Sequence, residues 1–143
     1  MSTASWPKSG GPCRVAMWSP DMAKVLVVED NPANMKLATF LLQSAGHSVL
    51  SATDAEAGLM LAHGEQPNLI LMDIQLPGMD GLEAVVLLKQ DASTRAIPVI
   101  ALTALAMKGD EERIRAAGCD GYIAKPIRYK EFLASIAAEL ALV

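Results

Sequence analysis

Short apolar runs alternate with longer amphipathic segments along the chain from Lys24 onwards. Five of these runs predict β-strands, and the first, third and fourth are apolar almost throughout, as strands covered on both faces are. The predicted strands cover 24–28, 48–52, 69–72, 99–102 and 121–123. Because helical patterns separate them, the alternation predicts a parallel sheet with crossover helices.

Local signals mark the ends of the predicted helices. Pro32 opens the first helix, because a first turn tolerates a missing N–H, and Gly46 ends its apolar stripe. Thr53 and Glu56 have the spacing of a capping box, and Gly64 closes the second helix. The third and fourth helices cover 82–90 and 110–117, and the fifth buries Phe132, Leu133, Ile136 and Leu140.

Five successive β/α units predict the α/β class, with a doubly wound, five-stranded parallel sheet and five helices in a flavodoxin-like arrangement. Functional groups in such sheets gather beyond the carboxyl ends of the strands. We expect residues 23–143 to form this domain. Residues 1–22 hold three prolines and both tryptophans without a periodic pattern, which predicts a flexible N-terminal tail, and Met22 offers an alternative start of the natural protein.

The composition and net charge of the chain argue against several classes of protein. A length of 143 residues with 52% hydrophobic residues suits one packed domain. The formal net charge of -4 argues against a nucleic-acid partner, because such binders are usually basic. Cys13 and Cys119 stand far apart and predict neither a disulfide framework nor a zinc site. We find no stretch suited to membrane insertion and no secretory signal, and we therefore expect a cytoplasmic protein.

Polar residues follow the apolar strands at one predicted edge of the sheet. They are Glu29, Asp30, Asp73, Thr103 and Lys125. Three carboxylates in a partly dry crevice repel one another unless a cation joins them, and hard oxygen ligands in an incomplete cage suit Mg²⁺. A carboxylate such as Asp73 can attack phosphorus, while a lysine and a hydroxyl stabilise the transferred group. Each residue alone also fits a solvated loop, a turn or a surface charge, so the case rests on their coincidence.

Four segments resemble the receiver domains of two-component response regulators. They are Val25–Asn31, Leu69–Gly81, Ala101–Ala104 and Tyr122–Ile127. The resemblance implies the receiver fold and makes Asp73 the phosphoacceptor. It also implies that Glu29, Asp30, Asp73 and the Gln75 carbonyl hold Mg²⁺, with Mn²⁺ as a substitute, and that Thr103 and Lys125 contact the phosphoryl group. Tyr122 is then an aromatic switch that moves with Thr103.

Two positions depart from the common pattern of this family. Glu29 stands where many relatives carry an aspartate, which leaves open whether it binds the metal directly or through water. Asn68 replaces an aspartate that often precedes the third strand. Neither change removes a group that the chemistry needs.

The resemblance implies a signalling role. A sensor histidine kinase or phosphotransfer protein would phosphorylate Asp73, and the domain would assist its own phosphorylation and dephosphorylation without being a turnover enzyme. We expect a downstream protein to recognise the surface of the fourth helix, the fifth strand and the fifth helix, with 104–108 at its rim. Met107 there fits either a contact or ordinary packing. Residues 34–37 and 106–115 resemble more narrowly a single-domain regulator of cell division, which suggests cell-cycle or polarity control.

Three other classes of protein compete with this interpretation. A haloacid-dehalogenase-like phosphatase would carry Asp-x-Asp on its first strand, whereas the candidate nucleophile here follows the third. A flavodoxin-type cofactor carrier needs a phosphate-binding loop after the first strand, where Glu29 and Asp30 would repel phosphate. A receiver-like scaffold that works without phosphorylation would not need the acids, Thr103 and Lys125.

Overall fold

The structure is a computed structural model that describes residues 3–5, 23–104 and 108–141. Strands and helices alternate along the chain after a short first strand. The strands are β1 (Thr3–Ser5), β2 (Lys24–Val28), β3 (Ser48–Ala52), β4 (Leu69–Asp73), β5 (Val99–Thr103) and β6 (Gly121–Ala124). The helices are α1 (Pro32–Ser44), α2 (Ala55–Glu65), α3 (Gly81–Gln90), α4 (Lys108–Ala117) and α5 (Tyr129–Ala141).

The sheet has the strand order β1-β6-β5-β4-β2-β3. The five strands from β2 to β6 are parallel, which confirms the predicted α/β class and the doubly wound sheet with five helices. The strand order reverses between β2 and β4, because the chain turns from β2 outward to β3 and then returns to β4 on the other side. Sheets of this kind bind ligands beyond the carboxyl ends of the strands at that point.

A sixth strand, β1, was not predicted. Thr3–Ser5 pair antiparallel with Gly121–Ile123 and form the edge of the sheet beyond β6. The sequence pattern did not indicate this pairing. The flexible N-terminal tail at 1–22 stays a prediction, and 1–2 and 6–22 lie outside the described residues.

The central strands β2, β4 and β5 are buried on both faces, which explains their continuous apolar runs. Side chains at alternate positions of β2, such as Leu26 and Val28, pack against α2, α3 and α4. Val25 and Val27 point the other way and pack with α1 and α5, where Phe132 and Ile136 are fully buried. None of the described helices is long and apolar enough to cross a membrane.

Side-chain hydrogen bonds cap the first turns of α1 and α2. Asn31 caps α1, since its Oδ1 accepts hydrogen bonds from the main-chain N–H groups of Ala33 and Asn34 at 2.9 and 3.1 Å. The predicted cap of α2 is wrong by one residue: Asp54, not Thr53, accepts the bond from Ala57 N at 2.8 Å.

The predicted end of α2 at Gly64 is also wrong. The helix continues through Gly64 to Glu65, and Gln66 ends it in the left-handed conformation with φ 48°. The side-chain amide of Gln66 donates to the carbonyls of Ala62 and His63, which satisfies part of the helix terminus. The helix thus ends at Gln66, which its own side-chain hydrogen bonds stabilise, and not at the glycine that the sequence pattern predicted.

Candidate functional site

The residues predicted to hold the metal and the phosphoryl group lie at or just beyond the carboxyl ends of the parallel strands. Glu29 and Asp30 follow β2, Asp73 is the last residue of β4 and Thr103 the last of β5. Lys125 follows β6 directly. Since these four strands are parallel and adjacent, their carboxyl ends bring the side chains to one cleft.

Three carboxylates form the acidic side of this cleft. One ligand oxygen from each of Glu29, Asp30 and Asp73 can be chosen so that all lie within 4.8 Å of one another. Glu29 and Asp73 are almost completely buried, with 1% and 3% of their surfaces exposed, whereas Asp30 is exposed. The site thus has two buried oxygen donors and one that opens to solvent.

Lys125 provides the positive charge in the cleft. Its Nζ lies 3.0 Å from Glu29 Oε1 and 3.0 Å from Asp73 Oδ2, and it donates a hydrogen bond to each. Its main-chain N–H also donates to Thr103 O at 2.7 Å, and the peptide between Lys125 and Pro126 is cis. Burial lowers the pKa of Lys125, but the two carboxylates outweigh this effect, so the pKa is raised and the ammonium is retained.

The second oxygen of Glu29 supports a cation site. Burial, and then the neighbouring Asp73, raise the pKa of Glu29 to about 7 despite the opposing effect of Lys125. Glu29 Oε2 is buried and has no hydrogen-bond partner among the described residues. A buried carboxylate oxygen normally finds a partner, because leaving it without one is costly. The buried position of Glu29 Oε2 fits a hard divalent cation, and so do the three carboxylates as its ligands.

The loop after Asp73 fixes the position of its carboxylate. The N–H of Gln75 donates to Asp73 Oδ1 at 3.0 Å, so Asp73 accepts one bond on each oxygen. Gly81 N donates to Ile74 O at 3.1 Å, and a Cβ at Gly81 would lie only 2.0 Å from the carbonyl oxygen of Asp73. Gly81 therefore lets α3 start directly against the acid. The ligand role of the Gln75 carbonyl stays a prediction.

Thr103 lies beside a small cavity next to the acidic cleft. Its surface is 4% exposed, and the cavity of about 20 Å³ can hold one water molecule. The cavity is also lined by Ile74, Gln75, Leu82, Asp110, Arg113 and Ile114. Thr103 thus shares this cavity with Gln75, from the loop after Asp73, and with Asp110 of α4.

Tyr122 connects β6 to α4. Its hydroxyl donates to Glu111 Oε1 at 2.6 Å, and its ring packs against the core beside α4. This hydrogen bond, with burial second, raises the pKa of Tyr122. Sequence reasoning missed Glu111, because an acid in the first turn of a helix is already explained by the helix dipole. The switching role of Tyr122 stays a prediction.

Asn68 is structural, since its Oδ1 accepts the hydrogen bond of Lys24 N at 2.8 Å. Of the predicted rim 104–108, residues 105–107, including Met107, lie outside the described residues.

The fold and the acidic cleft define a known class of signalling protein. The sequence profile described as "Response regulator receiver domain" matches residues 25–137, and the chain belongs to this family. It is 50% identical over 116 residues to the polar-differentiation response regulator DivK of Brucella anthropi, and equally to that of Brucella ovis. The match covers 81% of this chain and 94% of each relative, which agrees with the narrower likeness in the sequence.

Solved structures agree with this assignment. The receiver domain of the sensor histidine kinase PA1611 from Pseudomonas aeruginosa superposes with a TM-score of 0.79 and 33% identity, covering 84% of this chain and 98% of that one. That structure is described as having a magnesium ion coordinated in its active-site cleft. The chemotaxis protein CheY4 of Vibrio cholerae gives a TM-score of 0.78 and 27% identity, over 82% of this chain and 98% of that one.

Proposed function

We propose that this receiver domain accepts a phosphoryl group on Asp73 in a Mg²⁺-dependent reaction, with a histidine kinase or a phosphotransfer protein as the donor. The observation that carries the proposal is the convergence of Lys125 and two further carboxylates on Asp73, with the lysine 3.0 Å away and the ligand oxygens within 4.8 Å. A surface cluster of acids would neither bury Asp73 nor place an ammonium against it.

Glu29, Asp30, Asp73 and the Gln75 carbonyl are the residues that would hold the metal. When bound, Mg²⁺ supplies positive charge that screens the carboxylates from one another and from the incoming phosphoryl oxygens. Mn²⁺ suits the same oxygen donors. Glu29 Oε2 is buried and has no hydrogen-bond partner in the part of the chain that the structure describes, which supports a direct role for this side chain.

In the transfer step, an oxygen of the Asp73 carboxylate forms the new bond to phosphorus. The bond from phosphorus to the donor's imidazole nitrogen breaks, and its electron pair stays with the imidazole. Lys125 Nζ is in reach of the charge that develops on the phosphoryl oxygens, while the Thr103 hydroxyl hydrogen-bonds one of them. Water later cleaves the acyl phosphate and regenerates the Asp73 carboxylate. The domain thus assists its own cycle and is not a turnover enzyme.

The output is a changed surface of α4, β6 and α5, on which a downstream protein binds. Phosphorylation adds charge next to Thr103, and Tyr122 of β6 adjusts with it. The likeness to DivK, a polar-differentiation regulator, supports a role in cell polarity or the cell cycle. We propose a cytoplasmic location, residues 23–143 as the receiver domain, and no nucleic-acid or membrane partner.

The experiment is reaction with acetyl phosphate followed by intact mass spectrometry. We expect one added phosphoryl group on the wild-type protein with Mg²⁺ and none with EDTA. Asp73→Asn abolishes the addition, whereas the matched variant Asp91→Asn, at the exposed end of α3, reacts like the wild type. A wild-type protein that binds Mg²⁺ but stays unmodified would point to a phosphorylation-independent scaffold.

A further inference from the structure

The outer edge of β6 takes up a strand from elsewhere in the chain. β6 lies at the end of the parallel sheet, and Gly121, Tyr122 and Ile123 pair with Ser5, Ala4 and Thr3 of β1. An uncovered edge strand presents unpaired N–H and C=O groups, which is how a sheet binds an extended peptide. The pairing is antiparallel and short, at three residues.

The length of the chain between β1 and β2 allows the pairing within one molecule. Ser5 pairs with the first residue of β6, and Ala23 precedes the first residue of β2, so both ends lie at the amino edge of the parallel strands. Three strand spacings, about 15 Å, separate β6 from β2. Residues 6–22 can extend over roughly 55 Å, several times that distance.

The outer edge of β6 also belongs to the surface of α4, β6 and α5, on which we propose that a downstream protein binds. Ala4 pairs with Tyr122, whose side chain reaches Glu111 of α4. Ile123, the partner of Thr3, points to the opposite face and packs beside α5. A strand on β6 therefore occupies the middle of this surface.

From this geometry we infer that the edge of β6 is a docking site for an extended peptide strand, occupied in the resting protein by residues 3–5 of the same chain. A partner that uses this edge must displace β1. Three paired residues bury little surface, so the bound strand exchanges without unfolding of the sheet. This inference goes beyond the proposed function, because it requires neither Mg²⁺ nor phosphorylation.

The test uses full-length protein and hydrogen exchange of the β6 amides, followed by NMR. The variant Thr3→Pro/Ala4→Pro removes the main-chain donors of two neighbouring residues, and one of any two neighbours points its N–H at the partner strand. We expect the β6 amides that face β1 to exchange at least tenfold faster in this variant. Amides that face β5 keep their rates, and the control Ser9→Pro/Gly10→Pro matches the wild type.

A second measurement tests docking itself. A synthetic peptide of residues 1–8, MSTASWPK, added at millimolar concentration to the Thr3→Pro/Ala4→Pro variant should restore the protection of the same β6 amides. Failure to restore it would overturn the docking site. Equal exchange in the wild type and the variant would overturn the resident strand, and protection that rises with protein concentration would assign the strand to a second copy.

Discussion

The hydroxyl of Tyr122 lies 2.6 Å from Glu111 Oε1, so the second residue of β6 is tied to the first turn of α4. Thr103 lies at the end of the neighbouring strand and lines a cavity with Asp110, which precedes Glu111. This contact joins the two elements that the proposed output requires to move together.

The contact predicts the titration of Tyr122. The carboxylate of Glu111 accepts the phenol proton in a hydrogen bond and repels the phenolate, so the pKa of Tyr122 is raised above its usual value of 10.0. We expect Glu111→Gln to lower the pKa of Tyr122 towards 10.0. The measurement is ultraviolet absorbance in a Tyr129→Phe background. Glu112→Gln changes an exposed neighbour and serves as the control. An unchanged pKa in Glu111→Gln would contradict the contact.

A side chain at Gly81 should destabilise the fold next to Asp73. A methyl group there meets the main chain of Asp73, which cannot yield as a flexible side chain would. We expect Gly81→Ala to cost about 2–3 kcal/mol of unfolding free energy in urea titrations.

The matched control for this variant is Gly64→Ala. Gly64 lies within α2 with nothing inside 4 Å of the added carbon. A better helix former should raise stability there by up to about 1 kcal/mol. If Gly81→Ala and Gly64→Ala changed the free energy of unfolding equally, that result would contradict the close approach of α3 to Asp73.

Glu29 predicts how Mg²⁺ affinity depends on pH. Burial is the main cause that raises the pKa of Glu29 to about 7, so its carboxyl group is largely protonated at pH 6 and largely ionised at pH 8. A cation has to displace this proton, and the affinity should therefore be about tenfold higher at pH 8 than at pH 6. Calorimetric titration at both values measures the difference. The same affinity at both would show that Glu29 does not contact the cation.

Lys125 predicts a charge effect on stability. Its raised pKa keeps it charged throughout the neutral range, and its stabilising effect is lost only as the pH rises through that pKa. Lys125→Met leaves two buried carboxylates without their cation, and we expect it to cost about 3 kcal/mol at pH 8. The cost is smaller at pH 5, where Glu29 binds a proton.

Chemical denaturation with and without Mg²⁺ measures this cost. Added Mg²⁺ should recover part of the stability that Lys125→Met loses at pH 8, because it replaces the missing positive charge. Lys36→Met, on the exposed side of α1, should stay within about 0.5 kcal/mol of the wild type. A Lys125→Met protein as stable as Lys36→Met would contradict the ion pairs in the cleft.

The sequence is sufficient to predict the parallel strands and the residues at their carboxyl ends. Buried strands are apolar throughout, and the first polar residue after each run marks the edge where a doubly wound sheet binds its ligand. Glu29, Asp73 and Thr103 could therefore be placed together before their distances were known.

The features that were missed depend on tertiary contacts. The hydrogen bond of Tyr122 to Glu111 joins two elements, and neither residue indicates the other locally. The bond of Lys125 to Glu29 connects residues 96 positions apart in sequence, so it could be found only once β2 and β6 were placed. The strand β1 consists of the small residues Thr3, Ala4 and Ser5 without a strand pattern, and its partner β6 is distant in sequence.

The most direct test of the central claim is to identify the residue that carries the phosphoryl group. After reaction with acetyl phosphate and Mg²⁺, borohydride reduces an aspartyl phosphate to homoserine, which peptide mass spectrometry locates in the sequence. We predict homoserine at position 73 alone, and none when EDTA replaces Mg²⁺. Reduction at Asp30 or at any other carboxylate, with Asp73 unchanged, would contradict the account.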